Sequence, residues 1–323
     1  MIYRDLGSTG VKVSLLGLGG HEFLPDGRSR GFNEDFPRAV TPGQLFPGFG
    51  GEKRRKVMAA AHAGGINFFD ATIDSEKEAL ARNLRELPLP REILIQTRPE
   101  GMVYTNNPQD LNNWRMTDIN LLRAEVLRIR DMLGREKIDF LNFGFLAGAL
   151  ENDPDYLGKI SRNIRILKDE GLIRFACADT FSGEEVYLKQ IGTGSFDAIF
   201  INFNIADDGG ARRVLPEVAK RGMGVFCREA FMKGGLFRMG QEAGIEDTDR
   251  LARAALKWIL SHKEVTTVVV GVDNPGELAS SLAVVDDVEL GREDNDILDL
   301  VRKTPSYAAC HKDRWKNFTG EDV

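Results

Sequence analysis

The stretch Ala63-Gly64-Gly65-Ile66-Asn67-Phe68-Phe69-Asp70 constrains the fold more than any other in the chain. A helical pattern from about Glu52 stops at paired glycines, a short apolar run follows, and a carboxylate stands where that run ends. The same unit recurs to the end of the sequence. A helix is expected from about Glu76 to Glu86, ended by Pro88 and Pro90, before a strand from Ile93 to Arg98. Thr117 is the expected N-cap of a helix whose Leu122, Val126, Ile129 and Leu133 share one face, and Gly134 stops it. Strands at Ile138 to Leu146, Ile173 to Ala178, Ala198 to Phe203, Gly224 to Cys227 and Thr266 to Val270 follow, separated by helical segments. With Leu16 to Gly20 as the first, about eight short strands alternate with helices, the pattern of a (β/α)8 TIM barrel. Chemistry in such barrels sits at the C-terminal ends of the strands, which places Asp70, Arg98, Asp179 and Arg228 at the mouth.

Three further segments decorate this frame. Tyr3 to Leu6 and Val11 to Leu15 flank Gly-Ser-Thr-Gly and read as an N-terminal β-hairpin. Residues 21–52 are rich in proline, glycine and phenylalanine and keep neither a helical nor a strand period, which predicts a long mouth loop acting as a lid. The loop around residues 100–116 carries Tyr104, Trp114 and Arg115, an aromatic-plus-cation set suited to a polar small molecule, or equally to a loosely packed surface loop. The tail after Lys303 carries Tyr307, Cys310, His311 and Trp315 and can fold back over one mouth of the barrel. No linker divides the chain, so residues 1–323 read as one domain.

Composition excludes several classes of function. Forty-three basic against 49 acidic residues give a net charge of -6, which disfavours broad nucleic-acid binding. No apolar run approaches the roughly 20 residues that span a bilayer, and the N-terminus lacks a hydrophobic signal core. Cys177, Cys227 and Cys310 are odd in number and far apart, so reduced cysteines, a cytoplasmic location and no metal site are expected. The expected partner is a small-molecule substrate.

Several ordered segments resemble the aldo-keto reductases. Tyr3-Arg4-Asp5-Leu6-Gly7 resembles that family's opening hairpin, and Gly65 to Asp70 its second strand. Lys137-Ile138-Asp139 is similar to the approach to its fourth strand, and Gly171-Leu172-Ile173-Arg174 to its Gly-Lys-Ile-Arg. Ala255 to His262 and Val268 to Gly271 are similar to its closing helix and strand. The resemblance implies carbonyl reduction by hydride transfer from NADP(H) or NAD(H), with an Asp, Tyr, Lys and His as catalytic groups. Asp70 matches the aspartate. The tyrosine falls at Ser75, or at Ile73 if the loop is shortened, and neither replaces a phenol. The lysine falls at Arg98, whose guanidinium polarises or clamps but does not shuttle a proton. The histidine falls at Gly144. Asp70 and Arg98 are therefore the candidate catalytic pair, or else a structural ion pair.

The resemblance also implies a cofactor site. Asp179 and Thr180 match the Ser-Asn that holds the nicotinamide amide, Phe200 the glutamine of the next strand, and Arg228 the tyrosine that stacks on the ring. Lys233 with Gly234 matches the pyrophosphate-side loop, while Gly271 and Glu277 match adenine-side positions. Asp273 falls where a basic residue often meets the extra phosphate of NADP. Gly20, at the end of the first strand, allows close approach of a ligand, and His21 beside it joins Tyr104 and Trp114 as a substrate-pocket candidate. His62 and His262 read as helix-end residues, Cys177 and Cys227 as core. Three functions remain open: a divergent oxidoreductase on a small carbonyl or sugar-like compound, a redox-neutral lyase, dehydratase or isomerase, and a non-catalytic binding protein.

Overall fold

The structure is a computed structural model that describes residues 1–88, 91–104 and 114–323. Pro90 and the middle of the 100–116 loop lie outside the described residues. Strands β1 (Tyr3–Asp5) and β2 (Lys12–Ser14) pair antiparallel, with Tyr3 opposite Ser14. Eight parallel strands then close a barrel in chain order. They are β3 (Leu16–Leu18), β4 (Phe68–Ala71), β5 (Leu94–Thr97), β6 (Ile138–Gly144), β7 (Ile173–Asp179), β8 (Ala198–Asn202), β9 (Gly224–Arg228) and β10 (Thr267–Val270). Val268 of β10 lies opposite Leu16 of β3 and completes the ring. This is the expected (β/α)8 barrel with an N-terminal hairpin.

Period two along the strands sorts the barrel interior into layers. Leu6, Val11 and Val13 of the hairpin region pack with Phe68, Leu94, Phe140 and Phe226 in one buried apolar cluster. Phe68 and Phe226 have ring centroids 4.5 Å apart, and Phe140 meets Phe226 edge-on at 5.1 Å. Truncating the fully buried Phe68 to alanine would cost about 3–5 kcal/mol. Two residues further along six of the eight strands the interior turns polar: Asp70, Gln96, Asn142, Asp179, Asn202 and Arg228. Thus the strand alternation that builds an apolar plug also delivers the polar floor of the mouth.

Two boundaries differ from the sequence reading. Asp118, not Thr117, caps the helix Ile119–Leu133, its Oδ1 accepting from the backbone N–H groups of Asn120 and Leu121. A carboxylate answers the helix dipole better than a hydroxyl, and Thr117 instead closes a short turn by donating its hydroxyl to Trp114. The helix expected from Glu76 begins at Asp74, because Asp74 joins a buried ion cluster instead of ending the loop. Gly134 stops its helix in the left-handed conformation, as expected.

The 21–52 segment folds back on the barrel. It contains the short helix Phe36–Ala39, and its Ala39 and Phe49 pack with Ile73 and Ala79, Phe32 and Phe46 resting against them. The tail forms the helix Pro305–Thr319 across the ends of β8 and β9. Tyr307 donates its hydroxyl to the Ile205 carbonyl at 2.8 Å, and Arg314 meets Asp207 at 2.9 Å and Glu229 at 3.3 Å. Among the described residues no helix is long and apolar enough to cross a membrane.

Candidate active site at the barrel mouth

Four charged side chains share the polar layer. Asp179, the last residue of β7, is fully buried and takes a two-pronged contact from Arg228, the last residue of β9, at 2.7 Å for each prong. Asn142 Nδ2 donates to Asp179 at 3.1 Å, and Arg228 Nε donates to Asn202 at 2.6 Å. The Arg228 guanidinium lies 4.5 Å from the Phe181 ring centroid and 4.7 Å from that of Phe200. Burial opposes its charge, but Asp179 outweighs that and raises its pKa. Asp70 of β4 accepts from Gln96 Nε2 at 2.8 Å and faces Arg98 at 3.9 Å. Burial pushes the Asp70 carboxyl above the ordinary carboxylate range, with Arg98 drawing it back. Arg98 also stands 4.0 Å from Asp179, so carboxylate and guanidinium alternate around the mouth.

Arg98 finds the phenol that β4 lacks. Its Nη1 donates to the hydroxyl oxygen of Tyr104 at 3.1 Å, and its guanidinium lies 5.5 Å from the Tyr104 ring centroid. The donor is the arginine, so the phenolic proton is left to be given elsewhere. Burial raises the Tyr104 pKa, with Arg98 and Arg228 opposing, so the phenol holds its proton at neutral pH. Arg98 Nε is buried without a hydrogen-bond partner among the described residues.

The segment bearing both residues is tied down from behind. Glu100 accepts from Lys77 at 2.9 Å, and Lys77, fully buried, also donates to Asp74 at 3.0 Å. The Glu100 backbone N–H donates to Glu125 at 2.9 Å. Burial raises the Glu100 pKa to about 7, against the pull of Lys77. These contacts anchor the turn between Arg98 and Tyr104.

His21 follows β3 and pairs through Nδ1 with Glu76 at 2.7 Å. Burial lowers its pKa, but Glu76 outweighs burial and leaves it raised. Glu76 is itself fixed by the Thr72 backbone N–H at 2.7 Å. Phe32 of the 21–52 segment touches His21 edge-on at 5.7 Å and Tyr104 at 5.6 Å, joining the two across the mouth. Gly20 is needed for packing: a Cβ there would sit 2.6 Å from the Asp70 carbonyl oxygen and 2.8 Å from Glu76 Oε2. Trp114 is 51% exposed, with the Arg115 guanidinium 5.8 Å from its ring centroid.

The residues assigned to a nicotinamide cofactor divide into two ends. At the ring end Asp179 and Arg228 hold each other, and Thr180 accepts the Ser182 N–H on its hydroxyl. A nicotinamide at the ring end would meet a guanidinium already paired in its own plane with Asp179. The phosphate end fits better. Lys233 is largely exposed beside Glu229, and Glu229, Met232 and Lys233 all adopt left-handed backbone at φ 60, 52 and 52°. Such strain costs roughly 1–2 kcal/mol per residue and collects where backbone must approach a ligand. The helix Gly235–Glu242 begins just after it. Further round the mouth, a Cβ on Gly271 would lie 3.1 Å from Phe23, Glu277 caps its own helix through Asn274 and Asp273, and Asp273 pairs with Lys53.

The structure brings Asp70 and Arg98 together and sets the pocket candidate Tyr104 against Arg98, and it adds Glu76, Gln96 and Asn142, which were not among the sequence candidates. The alternation Phe68-Asp70, Leu94-Gln96, Phe140-Asn142 and Phe226-Arg228 was the available signal for the inward layer.

No protein-family model matches the chain. It is similar to L-galactose dehydrogenase of Arabidopsis thaliana, 23% identical over 316 residues and covering 88% of each chain. It is similar in structure to aldo-keto reductase AKR11C1 from Bacillus halodurans. Against the holo form the TM-score is 0.68 at 18% identity, over 93% of this chain and 96% of that one. Against the apo form it is 0.66 at 19% identity, with the same coverage. The chain has the fold of the aldo-keto reductases, as its sequence motifs implied.

Proposed function

We propose that this aldo-keto-reductase-like barrel is an oxidoreductase that uses NADP(H) or NAD(H) on a small carbonyl or sugar-like compound. The observation that carries the reading is the Arg98–Tyr104 contact backed by Asp70. A carboxylate, a cation and a phenol meet at the barrel mouth, although the phenol comes from the loop after β5 and the cation is a guanidinium. A substrate oxygen lying against the Tyr104 hydroxyl meets a phenolic donor with the Arg98 guanidinium behind it. As negative charge gathers on that oxygen, Tyr104 gives its proton. Arg98 then stabilises the phenolate that remains, and Asp70 with Gln96 keeps the guanidinium in place. The hydride such a reduction needs is the cofactor's contribution.

Calorimetric titration of NADPH, NADH, NADP⁺ and NAD⁺ into the protein tests this reading. Saturable binding of one pair, followed by its oxidation in the presence of small aldehydes or sugars, supports it. The absence of binding by all four nucleotides overturns it.

One observation favours a second reading. Asp179 and Arg228, which match nicotinamide-side positions, are spent on each other, which would suit a redox-neutral lyase, dehydratase or isomerase using the same phenol and cation. That reading requires turnover of a polyol or sugar acid with no added nucleotide.

A further inference from the structure

The helix Pro305–Thr319 is unusual for its length, because none of its fifteen residues is fully buried. A surface helix ordinarily docks through an apolar stripe. This one rests partly buried Tyr307, Cys310 and Phe318 on the core and adds polar contacts to the barrel: Tyr307 to the Ile205 carbonyl, His311 to Asp208 at 3.1 Å, and Arg314 to Asp207 and Glu229. Its C-terminal turn comes so close to Gly183 that a Cβ there would lie 2.5 Å from the Phe318 carbonyl oxygen. Between these supports the helix bridges a cleft of about 350 Å³ against the ends of β7 and β8.

The chemistry of that cleft is specific. Asp313 and Asn317 line it one turn apart, and so do Arg314 and Phe318, so two adjacent rows of the helix face it. Phe181 and Asn202 line the barrel side. Arg314 has already committed its charge to Asp207 and Glu229, while the Asp207 and Asp313 carboxylates both border the space. Phosphate or another anion would meet net negative charge there. Amides and carboxylates instead suit hydroxyl groups, and the Phe181 and Phe318 rings offer flat apolar faces to the C–H side of a sugar ring. The volume lies within the range of small-molecule pockets. The cleft also adjoins the mouth. The Phe181 ring lies 6.2 Å from that of Tyr104 and 4.5 Å from the Arg228 guanidinium, and Asn202 holds Arg228 Nε.

We propose that the cleft beneath the C-terminal helix binds a neutral, polyhydroxylated compound of monosaccharide size, presenting it to the Tyr104–Arg98 centre. The fate of the bound sugar rests on the oxidoreductase reading, but its binding does not, so the test omits nucleotide. Galactose is titrated into the full chain by calorimetry and ligand-observed NMR, with inorganic pyrophosphate as competitor. Asp313→Ala and Asn317→Ala remove exposed groups that line the cleft, so the fold is expected to survive, and thermal melting checks this. The expected result is saturable galactose binding, weakened about three- to tenfold in each variant at unchanged Tm and indifferent to pyrophosphate. No saturable binding, binding untouched by both substitutions, or displacement by pyrophosphate would each overturn the proposal. Galactose binding without nucleotide binding would retain the cleft and discard the redox chemistry.

Discussion

Arg98 donates a hydrogen bond to the hydroxyl oxygen of Tyr104 at 3.1 Å, across six residues of a loop whose turn is pinned by Glu100. The contact supplies a phenol beside the cation, where the second strand offers only Ile73 and Ser75. It leaves the phenolic proton unspent. The proposed chemistry at this mouth therefore draws on the loop after β5 as well as on the strand ends.

The Asp179–Arg228 fork is a buried pair, and removing one partner exposes its cost. Arg228→Met leaves the fully buried Asp179 with only Asn142, the Tyr187 hydroxyl at 3.5 Å and the more distant Arg98 at 4.0 Å, which should destabilise the protein by about 3–5 kcal/mol in denaturant unfolding. The double substitution Arg228→Met with Asp179→Leu should recover most of that loss. A single variant as stable as the parent would show that the fork contributes little.

Glu100 makes stability depend on pH. Its folded pKa of about 7 lies above its ordinary 4.5, so between these values the native state holds a proton that the unfolded chain releases. Stability from this group is full at the acid end of that window and is lost as pH rises through about 7. Thermal melts across the window should show the slope in the parent and lose it in Glu100→Gln. An identical slope in the variant would assign the effect to other groups.

His21 should titrate above its ordinary pKa of 6.5, because the Glu76 carboxylate stabilises the imidazolium more than burial opposes it. Glu76→Gln removes that charge and should move the titration downward. The imidazole C–H resonances read the shift directly, and an unmoved curve would mean that Glu76 does not govern the imidazole.

The frame of the molecule was legible because it is local. Glycine stops such as Gly64–Gly65 and Gly134, short apolar runs and strand-end polar residues each depend on a few neighbours, and they placed every barrel strand and put Asp70 with Arg98. What escaped is long-range or depends on side-chain competition. Thr117 and Asp118 are adjacent capping residues, and only the turn Trp114–Thr117 decides between them. The pairing of Asp179 with Arg228 spans 49 residues and follows from barrel closure. The position of Tyr104 against Arg98 goes with the Lys77–Glu100 anchor behind it, which no motif announces. In the tail, Tyr307 is committed to the Ile205 carbonyl and His311 to Asp208, so these two groups hold the helix to the barrel.

The most direct measurement is the rate of nicotinamide oxidation with a panel of small aldehydes and sugars, comparing the parent with Tyr104→Phe. The substitution deletes one hydroxyl whose partner is Arg98 and should leave the melting temperature nearly unchanged. The account predicts a fall in kcat of at least about 100-fold, the scale of a lost general acid. Parent-like turnover in Tyr104→Phe would contradict it, and would place the proton donor elsewhere in the mouth.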